Sequence, residues 1–365
     1  MTNKKPPLAG LFWPLVFSCA LIFVSWGVAE ALAGGDFLSV ARELGASRPA
    51  AERVHTRYDA DLGWANVPNI FIPDLYGPGR SFRTNLRGFR NDRDFTKERQ
   101  AGKRRVVCSG DSFTLGYGVA DGQTWVSRLE AIDPTLETVN MGQGGYGIDQ
   151  SYLWFKRDGE SMDYDVHVQA FIYADFERMR SGDFLGYRKP RLVAGPEAFG
   201  VEKVSPPAGV QGMSWLTQKL VVLHRLRTVR ALESFCRKYF LSVDDGTTRA
   251  LSVRIFTELD ARAHSRGARF AAVYLPTEMD TDPTRLDDLR AFLKAELARR
   301  GVVYIDLTDD FRALPSAQLE KLFLTGADSP FVGADGHYSE AGNAFVARLL
   351  LEKLHDAGIL VMKDN

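Results

Sequence analysis

The chain has 365 residues, of which 45% are apolar, and its 46 basic residues equal its 46 acidic ones. This composition indicates a globular protein rather than a disordered chain, and the zero net charge without a basic, aromatic-rich patch gives no sign of nucleic-acid binding. Three cysteines, Cys19, Cys108 and Cys236, are too few and too scattered to predict a disulfide framework or a zinc site.

The N-terminus has the pattern of a membrane anchor. Lys4 and Lys5 precede an uncharged stretch over residues 6–29, and Glu30 is the first acidic residue. A helix of that length crosses a hydrocarbon core of roughly 30 Å. The two lysines ahead of this stretch predict a cytoplasmic N-terminus. Residues 1–33 are therefore expected to form a cytoplasmic tip and a membrane anchor, and the rest of the chain to lie outside the cytoplasm. The alternative is a cleaved signal peptide, because residues 31–33 (ALA) match a cleavage site.

Residues 34–104 show no strong periodicity and are rich in turn-forming residues, which predicts a stalk and an irregular lead-in. Beyond them, apolar runs alternate with segments of helical period. The predicted strands are Arg105–Ser109, Glu137–Met141, Asp165–Tyr173, Ala268–Leu275 and Val302–Leu307. The predicted helices are Thr124–Ile132, Ile148–Lys156, Thr247–Arg266, Pro283–Arg300 and Ser339–His355.

This alternation predicts an α/β domain over residues 105–355, with a parallel five-stranded sheet between two layers of helices. Pro283 suits a first helical turn with Asp282 as its cap, and Gly267 and Gly301 suit left-handed helix ends. In sheets of this kind the functional site lies beyond the carboxyl ends of the strands.

One region, residues 176–246, interrupts the alternation and predicts an inserted, cap-like segment. It begins with a Gly- and Pro-rich run over residues 182–212. The segment Leu216–Phe240 that follows is amphipathic, with apolar residues at helical spacing and six basic residues against one acid, Glu233, on the other face. We interpret that face as solvated, with binding to a membrane surface or a polyanion as the alternative.

The clearest chemical signal is residues 106–116 (VVCSGDSFTLG), where a buried strand turns into a helix. The turn exposes the Oγ atom of Ser112 at the edge of the sheet, close to N–H groups that favour an oxyanion. The alternative is that Asp111 or Ser112 only caps the helix.

A serine needs a base to become a nucleophile, and His337 is the best of the six histidines. It lies in residues 333–342 (GADGHYSEAG), a loop that leads into the last helix. Asp335 can hold one ring nitrogen so that the other faces Ser112. The alternative is an Asp-Gly turn with an incidental surface histidine.

These motifs resemble those of the SGNH/GDSL hydrolases. Residues 110–113 (GDSF) and 335–337 (DGH) resemble the first and last blocks of that family, and residues 140–147 (NMGQGGYG) resemble its second block. The lead-in runs 58–64 (YDADLGW) and 84–90 (TNLRGFR) are similar to those of membrane-anchored bacterial members.

The resemblance implies a three-layer α/β/α flavodoxin-like fold, no metal and no organic cofactor. It also implies an oxyanion hole formed by the N–H groups of Ser112 and Gly145, the latter matched by its spacing from Asn140. The same glycines partly mimic a dinucleotide-binding fingerprint, but their spacing is wrong and no acidic residue ends a following strand.

One position departs from the family pattern. In residues 171–176 (FIYADF), Ala174 occupies the position of an Asn that normally donates to the oxyanion. Loss of one such donor typically lowers the rate by roughly 10²–10³. Asn140 and Tyr173 are candidate substitutes, whereas an ionised Asp175 can only accept hydrogen bonds.

These observations predict an extracytoplasmic serine esterase or O-acyltransferase acting on small acyl esters, acetyl in particular, of a polysaccharide or glycan. Its catalytic residues are Ser112, Asp335 and His337. We expect a bacterial inner-membrane protein with a periplasmic catalytic domain, partnered by membrane-bound acyl-transfer or export proteins. The alternatives are a weak or inactive subunit of a polysaccharide export or modification complex, and a lipid or thioester hydrolase, which needs a long apolar acyl groove.

Overall fold

A computed structural model describes residues 9–32, 35, 37–45, 52–185, 187–195, 198–202, 246–282 and 288–360, with a few single residues between 219 and 232. The chain divides into two compact units. One combines residues 1–49 with 213–244, and the other combines residues 50–212 with 245–365.

The first unit contains helices α1 (Ala9–Leu32) and α2 (Phe37–Gly45). Phe37 of α2 packs edge-on against Phe23 of α1, with 4.8 Å between the ring centroids. Glu30, fully buried near the end of α1, accepts a hydrogen bond of 2.9 Å from the backbone N–H of Thr228. Because a buried carboxylate needs such donors, this contact fixes α1 against the segment that contains Thr228.

The helix α1 covers most of the stretch predicted to anchor the chain in a membrane. A spanning helix needs about 20 predominantly apolar residues. In the part of the chain that the structure describes, no helix combines enough length with enough apolar character to cross a membrane. The predicted anchor is therefore not confirmed.

The second unit begins with the lead-in, which forms helix α3 (Glu52–His55) and two small antiparallel hairpins. Strand β1 (Thr56–Asp59) pairs with β2 (Gly63–Asn66), and β3 (Phe71–Ile72) pairs with β4 (Phe82–Arg83). Where the sequence predicts an irregular lead-in, the structure thus has short strands held by hydrogen bonds.

The remaining elements alternate between strands and helices for much of the chain. In chain order they are β5 (Arg104–Gly110), α4 (Ser112–Leu115), α5 (Trp125–Ile132), β6 (Leu136–Gly142), α6 (Ile148–Asp158), β7 (Val166–Phe171), α7 (Tyr173–Arg178), β8 (Asp183–Phe184), β9 (Tyr187–Arg188), β10 (Arg191–Ala194), β11 (Phe199–Glu202), α8 (Gly246–Ser265), β12 (Arg269–Tyr274), α9 (Asp288–Ala298), β13 (Tyr304–Asp306), α10 (Thr308–Arg312), α11 (Ser316–Leu319) and α12 (Glu340–Asp356).

The five predicted strands form one parallel sheet in the order β13-β12-β7-β5-β6, which confirms the predicted five-stranded parallel sheet. Side chains alternate between its faces, as strand geometry requires. Val107 belongs to a core cluster with α6, α8 and α9, whereas Val106 and Cys108 belong to a cluster with α5 and α12. The sheet therefore lies between two helical layers.

The predicted helix ends agree with the structure where they are described. Gly267 and Gly301 have φ values of 71° and 72°, the left-handed conformation that ends a helix. Residues 283–287 lie outside the described part of the chain, so the predicted role of Pro283 stays a prediction.

The insertion contains two antiparallel hairpins, β8 with β9 and β10 with β11. Residues 203–218 and most of residues 219–245 lie outside the description, and the predicted basic face of the segment Leu216–Phe240 falls there.

Candidate active site

Ser112 lies at the turn that follows β5. Asp111 caps α4, and its carboxylate accepts a hydrogen bond of 2.9 Å from the backbone N–H of Phe113. Ser112 is then the first residue of the helix, so its own N–H has no partner within the helix. The residue is 4% exposed, and its Oγ atom is directed toward His337.

The structure brings the two predicted reactive residues together. The Nε2 atom of His337 lies 2.7 Å from Oγ of Ser112, although the residues are 225 positions apart in the sequence. The imidazole stacks on the ring of Phe113 with 4.4 Å between centroids. Because this packing restrains the ring, Nε2 is held in position to accept the serine proton.

His337 is neutral at neutral pH and can therefore act as a base. Burial lowers its pKa from 6.5 to about 4, an effect that outweighs the negative charge of Asp111 and the backbone acceptors of Asp335 and Ala334. The charge of Arg178 acts in the same direction as burial. A protonated imidazole could not take the proton of Ser112.

The role of Asp335 in holding His337 stays a prediction. The Nδ1 atom of His337 is buried and makes no hydrogen bond of good geometry with the residues that the structure describes. Asp335 ends a short 3-10 turn, Val332–Ala334, and Gly336 follows in the left-handed conformation with φ of 75°. The backbone groups of Asp335 and Ala334 act on the ring as acceptors that favour its protonated form.

The predicted oxyanion loop lies beside the serine turn. The backbone N–H of Gln143 donates to the carbonyl oxygen of Gly110 at 3.1 Å, which joins the loop to the end of β5. Gly145 has φ of 77°, and its N–H donates to no acceptor among the described residues. A Cβ atom at this position would clash with the ring of Phe184, so the loop requires glycine here.

The two predicted substitute donors have different surroundings. The side-chain amide of Asn140 is fully buried, donates to the carbonyl oxygen of Thr114 at 2.9 Å and accepts from the N–H of Gly142 at 2.9 Å. One N–H of that amide therefore serves the backbone, and the substitution of the missing donor by Asn140 stays a prediction. Tyr173 begins α7 and packs near Phe176, with 6.4 Å between ring centroids.

An acidic and basic cluster beside Ser112 was not predicted from the sequence. The Nη1 atom of Arg178 lies 3.3 Å from a carboxylate oxygen of Asp111 and also pairs with Asp175. Burial and the charge of Asp111 raise the pKa of Asp175 well above its usual value. The spacing of Asp175 and Arg178, three residues apart on one helix, was the signal that could have revealed the pair.

The lead-in holds two segments of the site in place, the oxyanion loop that contains Gly145 and the segment that follows Ser112. The indole N–H of Trp64 donates to the carbonyl oxygen of Gly144 at 2.9 Å, beside Gly145. The fully buried Arg90 donates to the carbonyl oxygens of Leu115 at 2.8 Å and Val119 at 2.6 Å, directly after the helix of Ser112. The lead-in motifs thus contribute positioning residues that their turn-rich composition did not reveal.

Comparison with known proteins gives structural likenesses at low identity. No protein-family model matches the sequence, and no curated protein matches it. Among solved structures, a member of the lipolytic protein G-D-S-L family from Veillonella parvula is 16% identical, with a TM-score of 0.37, over 68% of this chain and 97% of that one.

A lipase/acylhydrolase from Enterococcus faecalis is 15% identical, with a TM-score of 0.38, over 72% of this chain and 100% of that one. The acetyl xylan esterase AlAXEase is also 15% identical, with a TM-score of 0.38, over 68% of this chain and 99% of that one. Identities and TM-scores this low leave the function to be inferred from the site itself.

Proposed function

We propose that this chain is a serine hydrolase or acyltransferase acting on ester bonds, with Ser112 as the nucleophile and His337 as its base. The 2.7 Å contact between Oγ of Ser112 and Nε2 of His337 is the observation that carries the proposal. This distance allows direct transfer of a proton, which is what activates a serine hydroxyl.

The reaction proceeds in two acyl transfers. Oγ of Ser112 attacks the ester carbonyl carbon while His337 takes its proton, and the negative charge that develops on the carbonyl oxygen is bound by the N–H groups of Ser112 and Gly145. The carbon–oxygen bond of the ester then breaks, and the leaving alcohol takes the proton from His337. Water (in an esterase) or a sugar hydroxyl (in a transferase) removes the acyl group from Ser112 by the same steps.

Hydrolysis of p-nitrophenyl acetate by the full chain tests this proposal. We expect measurable turnover by the wild type and loss to background in Ser112→Ala and in His337→Ala. Ser265→Ala is the matched control, because Ser265 lies at the exposed end of α8 and only donates to the carbonyl oxygen of Arg262. Equal background turnover in the wild type and Ser112→Ala would remove the proposal.

For the substrate we propose a small acyl ester, acetyl in particular, of a polysaccharide or glycan. The ring of Phe184 lies against Gly145 and limits the space beside the oxyanion loop, which supports a short acyl group. The carbohydrate part rests on the resemblance of the lead-in to membrane-anchored bacterial family members. Hydrolysis rates for p-nitrophenyl acetate, butyrate and octanoate test the preferred size of the acyl group. A rate that rises with acyl chain length would refute the preference for a short acyl group.

Water and sugar acceptors can be separated by product analysis. The enzyme is given p-nitrophenyl acetate together with an unmodified oligosaccharide, and the products are analysed by mass spectrometry. A transferase produces acetylated oligosaccharide. An esterase releases only acetate under the same conditions.

We also propose that the catalytic unit works outside the cytoplasm of a bacterium. The two lysines ahead of the uncharged stretch over residues 6–29 support this orientation. An alkaline phosphatase fused after residue 365 should be active in the periplasm. The N-terminal sequence of the mature protein distinguishes a retained N-terminus from one cleaved after Ala33. A fusion that is active only in the cytoplasm would contradict the orientation.

A weak or inactive subunit of a polysaccharide modification complex is the second candidate, and Ala174 favours it because a methyl group donates no hydrogen bond. A fluorophosphonate probe separates the two, since only an activated serine reacts with it. Labelling of Ser112 would exclude an inactive subunit.

A further inference from the structure

Relative to the family pattern that the sequence resembles, one oxyanion donor is missing at Ala174. Ala174 is the second residue of α7, the helix that follows β7 at the carboxyl edge of the sheet, next to the strand that leads to Ser112. Its side chain packs against apolar residues and offers no N–H group. Asn140 uses its amide oxygen for Gly142 and one of its two N–H donors for Thr114.

Arg178 lies one helical turn after Ala174, and residues four apart lie on the same side of a helix. Its Nη1 atom is 3.3 Å from a carboxylate oxygen of Asp111, the residue before Ser112. The same atom is 3.1 Å from the carbonyl oxygen of Tyr146, the residue after Gly145. The guanidinium therefore lies between the two segments that supply the N–H groups of Ser112 and Gly145.

Arg178 keeps donors available. Its hydrogen bonds to Asp111, Tyr146 and Asp175 all use Nη1, whereas Nη2 and Nε make none with the residues that the structure describes. A guanidinium carries five N–H donors, of which Nη1 holds two. The side chain is 17% exposed, and the guanidinium lies over the ring of Phe184, with 4.9 Å from Cζ to the ring centroid.

The charge of Arg178 also acts on the reactive pair. It opposes protonation of His337, whereas the charge of Asp111 favours it. Burial and the charge of Asp111 raise the pKa of Asp175, which favours the neutral form of that carboxyl group beside Arg178. The positive charge of Arg178 lies close to Ser112, because Nη1 is 3.3 Å from the carboxylate of the preceding residue, Asp111.

We propose that Arg178 replaces the missing donor of Ala174, by hydrogen-bonding through Nη2 or Nε to the carbonyl oxygen of the substrate as negative charge develops on it. The inference rests on the proposed hydrolase function. No proton is transferred in this step. A charge-assisted hydrogen bond strengthens as the oxygen becomes an anion, so the contact favours the transition state over the bound ester.

The test is a rescue experiment on the full chain with p-nitrophenyl acetate. We expect Arg178→Met to lower kcat by about 10²-fold with little change in KM, as for loss of one oxyanion donor. The double variant Ala174→Asn/Arg178→Met adds a side-chain amide at position 174, and its kcat should be about tenfold or more above that of Arg178→Met. Arg178→Met should also raise the pKa of His337 and shift the acid limb of the pH–rate profile upward, since a positive charge that lowers this pKa is lost.

Two further variants keep the inference open to refutation. Arg191→Met is the matched control, because the Arg191 side chain forms an exposed ion pair with Glu202, and it should retain wild-type kcat. Gln143→Leu removes the other buried amide of the oxyanion loop, whose atoms have no partner in the described structure. If Gln143→Leu lowers kcat and Arg178→Met does not, the donor is Gln143 and the inference is wrong.

Arg178→Lys covers the case in which Arg178→Met fails to fold, as judged by circular dichroism. Lysine keeps the charge but lacks the Nη2 and Nε donors, so kcat should fall at least about tenfold. Wild-type activity in Arg178→Lys would overturn the inference alone, whereas an inactive, unlabelled wild type would overturn the proposed function as well.

Discussion

The Oγ atom of Ser109 lies 2.7 Å from Nε2 of His167, the same separation that joins Ser112 to His337. Both members of the Ser109 pair are fully buried inside the sheet, and the ring of Phe155 stacks on His167 with 3.5 Å between centroids. Ser109 donates its hydrogen to Gln169 at 2.8 Å, so His167 acts as the donor to Ser109. The chain thus has two serine–histidine pairs among its described residues, of which only one lies at the carboxyl edge of the sheet.

We therefore expect a fluorophosphonate probe to label Ser112 and not Ser109. The buried serine has neither access for the probe nor a base that can accept its proton. Mass spectrometry of the labelled peptide identifies the serine, with Ser112→Ala as the control that should abolish labelling. Label on Ser109 would mean that burial does not separate the two pairs.

The pH dependence of kcat/KM should reflect the lowered pKa of His337. Since the protonated ring cannot accept a proton, activity is lost as the pH falls through about 4, rather than through the ordinary value of about 6.5. We expect a flat profile between about pH 5.5 and 7 for p-nitrophenyl acetate hydrolysis. An acid limb centred near the ordinary pKa would show that the ring is more hydrated than the structure indicates.

Replacing Asp335 by Asn should have a small effect. The groups of Asp335 and Ala334 that favour the protonated imidazole belong to the backbone, which the substitution leaves in place. We expect kcat to fall by less than about tenfold, compared with the about 10⁴-fold loss seen when a carboxylate fixes the tautomer of the base. A loss near that larger value would mean that the carboxylate moves onto Nδ1 when substrate binds.

His167 should make the free energy of unfolding depend on pH. Burial lowers its pKa well below 6.5 in the folded protein. Below about pH 6.5 the unfolded chain binds a proton that the folded chain does not, so stability falls as the pH is lowered from that value. Urea unfolding of the wild type should show a loss of about 2 kcal/mol from this residue between about pH 6.5 and 5.

The variant His167→Gln tests that assignment, because it removes the titrating group and keeps a donor for Ser109. Its unfolding free energy should fall by less than that of the wild type over the same pH range. Equal pH dependence in the two proteins would assign the effect to other groups.

Lys189 and Asp149 form a buried ion pair that joins the insertion to α6. Their side chains are fully buried, with 2.7 Å between Nζ and the carboxylate oxygen. Lys189→Met leaves the carboxylate of Asp149 buried without its partner and should destabilise the protein by about 3–5 kcal/mol. The double variant Lys189→Met/Asp149→Leu should recover much of that loss in urea unfolding, and a double variant less stable than the single one would contradict this account.

Much of the framework could be predicted from the sequence because its signals are local. The strand that ends at Gly110, the turn that presents Ser112 and the loop that carries His337 are each defined within about a dozen residues. Hydrophobic periodicity and turn-forming residues are read over segments of that length. For this reason the five strands and their parallel arrangement could be predicted.

The donors around the site were decided by contacts between distant residues. Asp111 and Arg178 are 67 positions apart, and Trp64 and Gly144 are 80 apart, so no local pattern indicates that they meet. Asn140 carries an amide of the kind that binds an oxyanion, but one N–H of that amide donates to the backbone of Thr114.

The sequence by itself determined which serine and which histidine to propose as the reactive pair, and which strands make up the sheet. The tertiary structure decided which polar groups surround them, because a side chain's donors are free or used only according to the neighbours that folding brings to it. Packing placed Arg178 beside Asp111 and directed one N–H of Asn140 to Thr114, and no local pattern of the sequence indicates either contact.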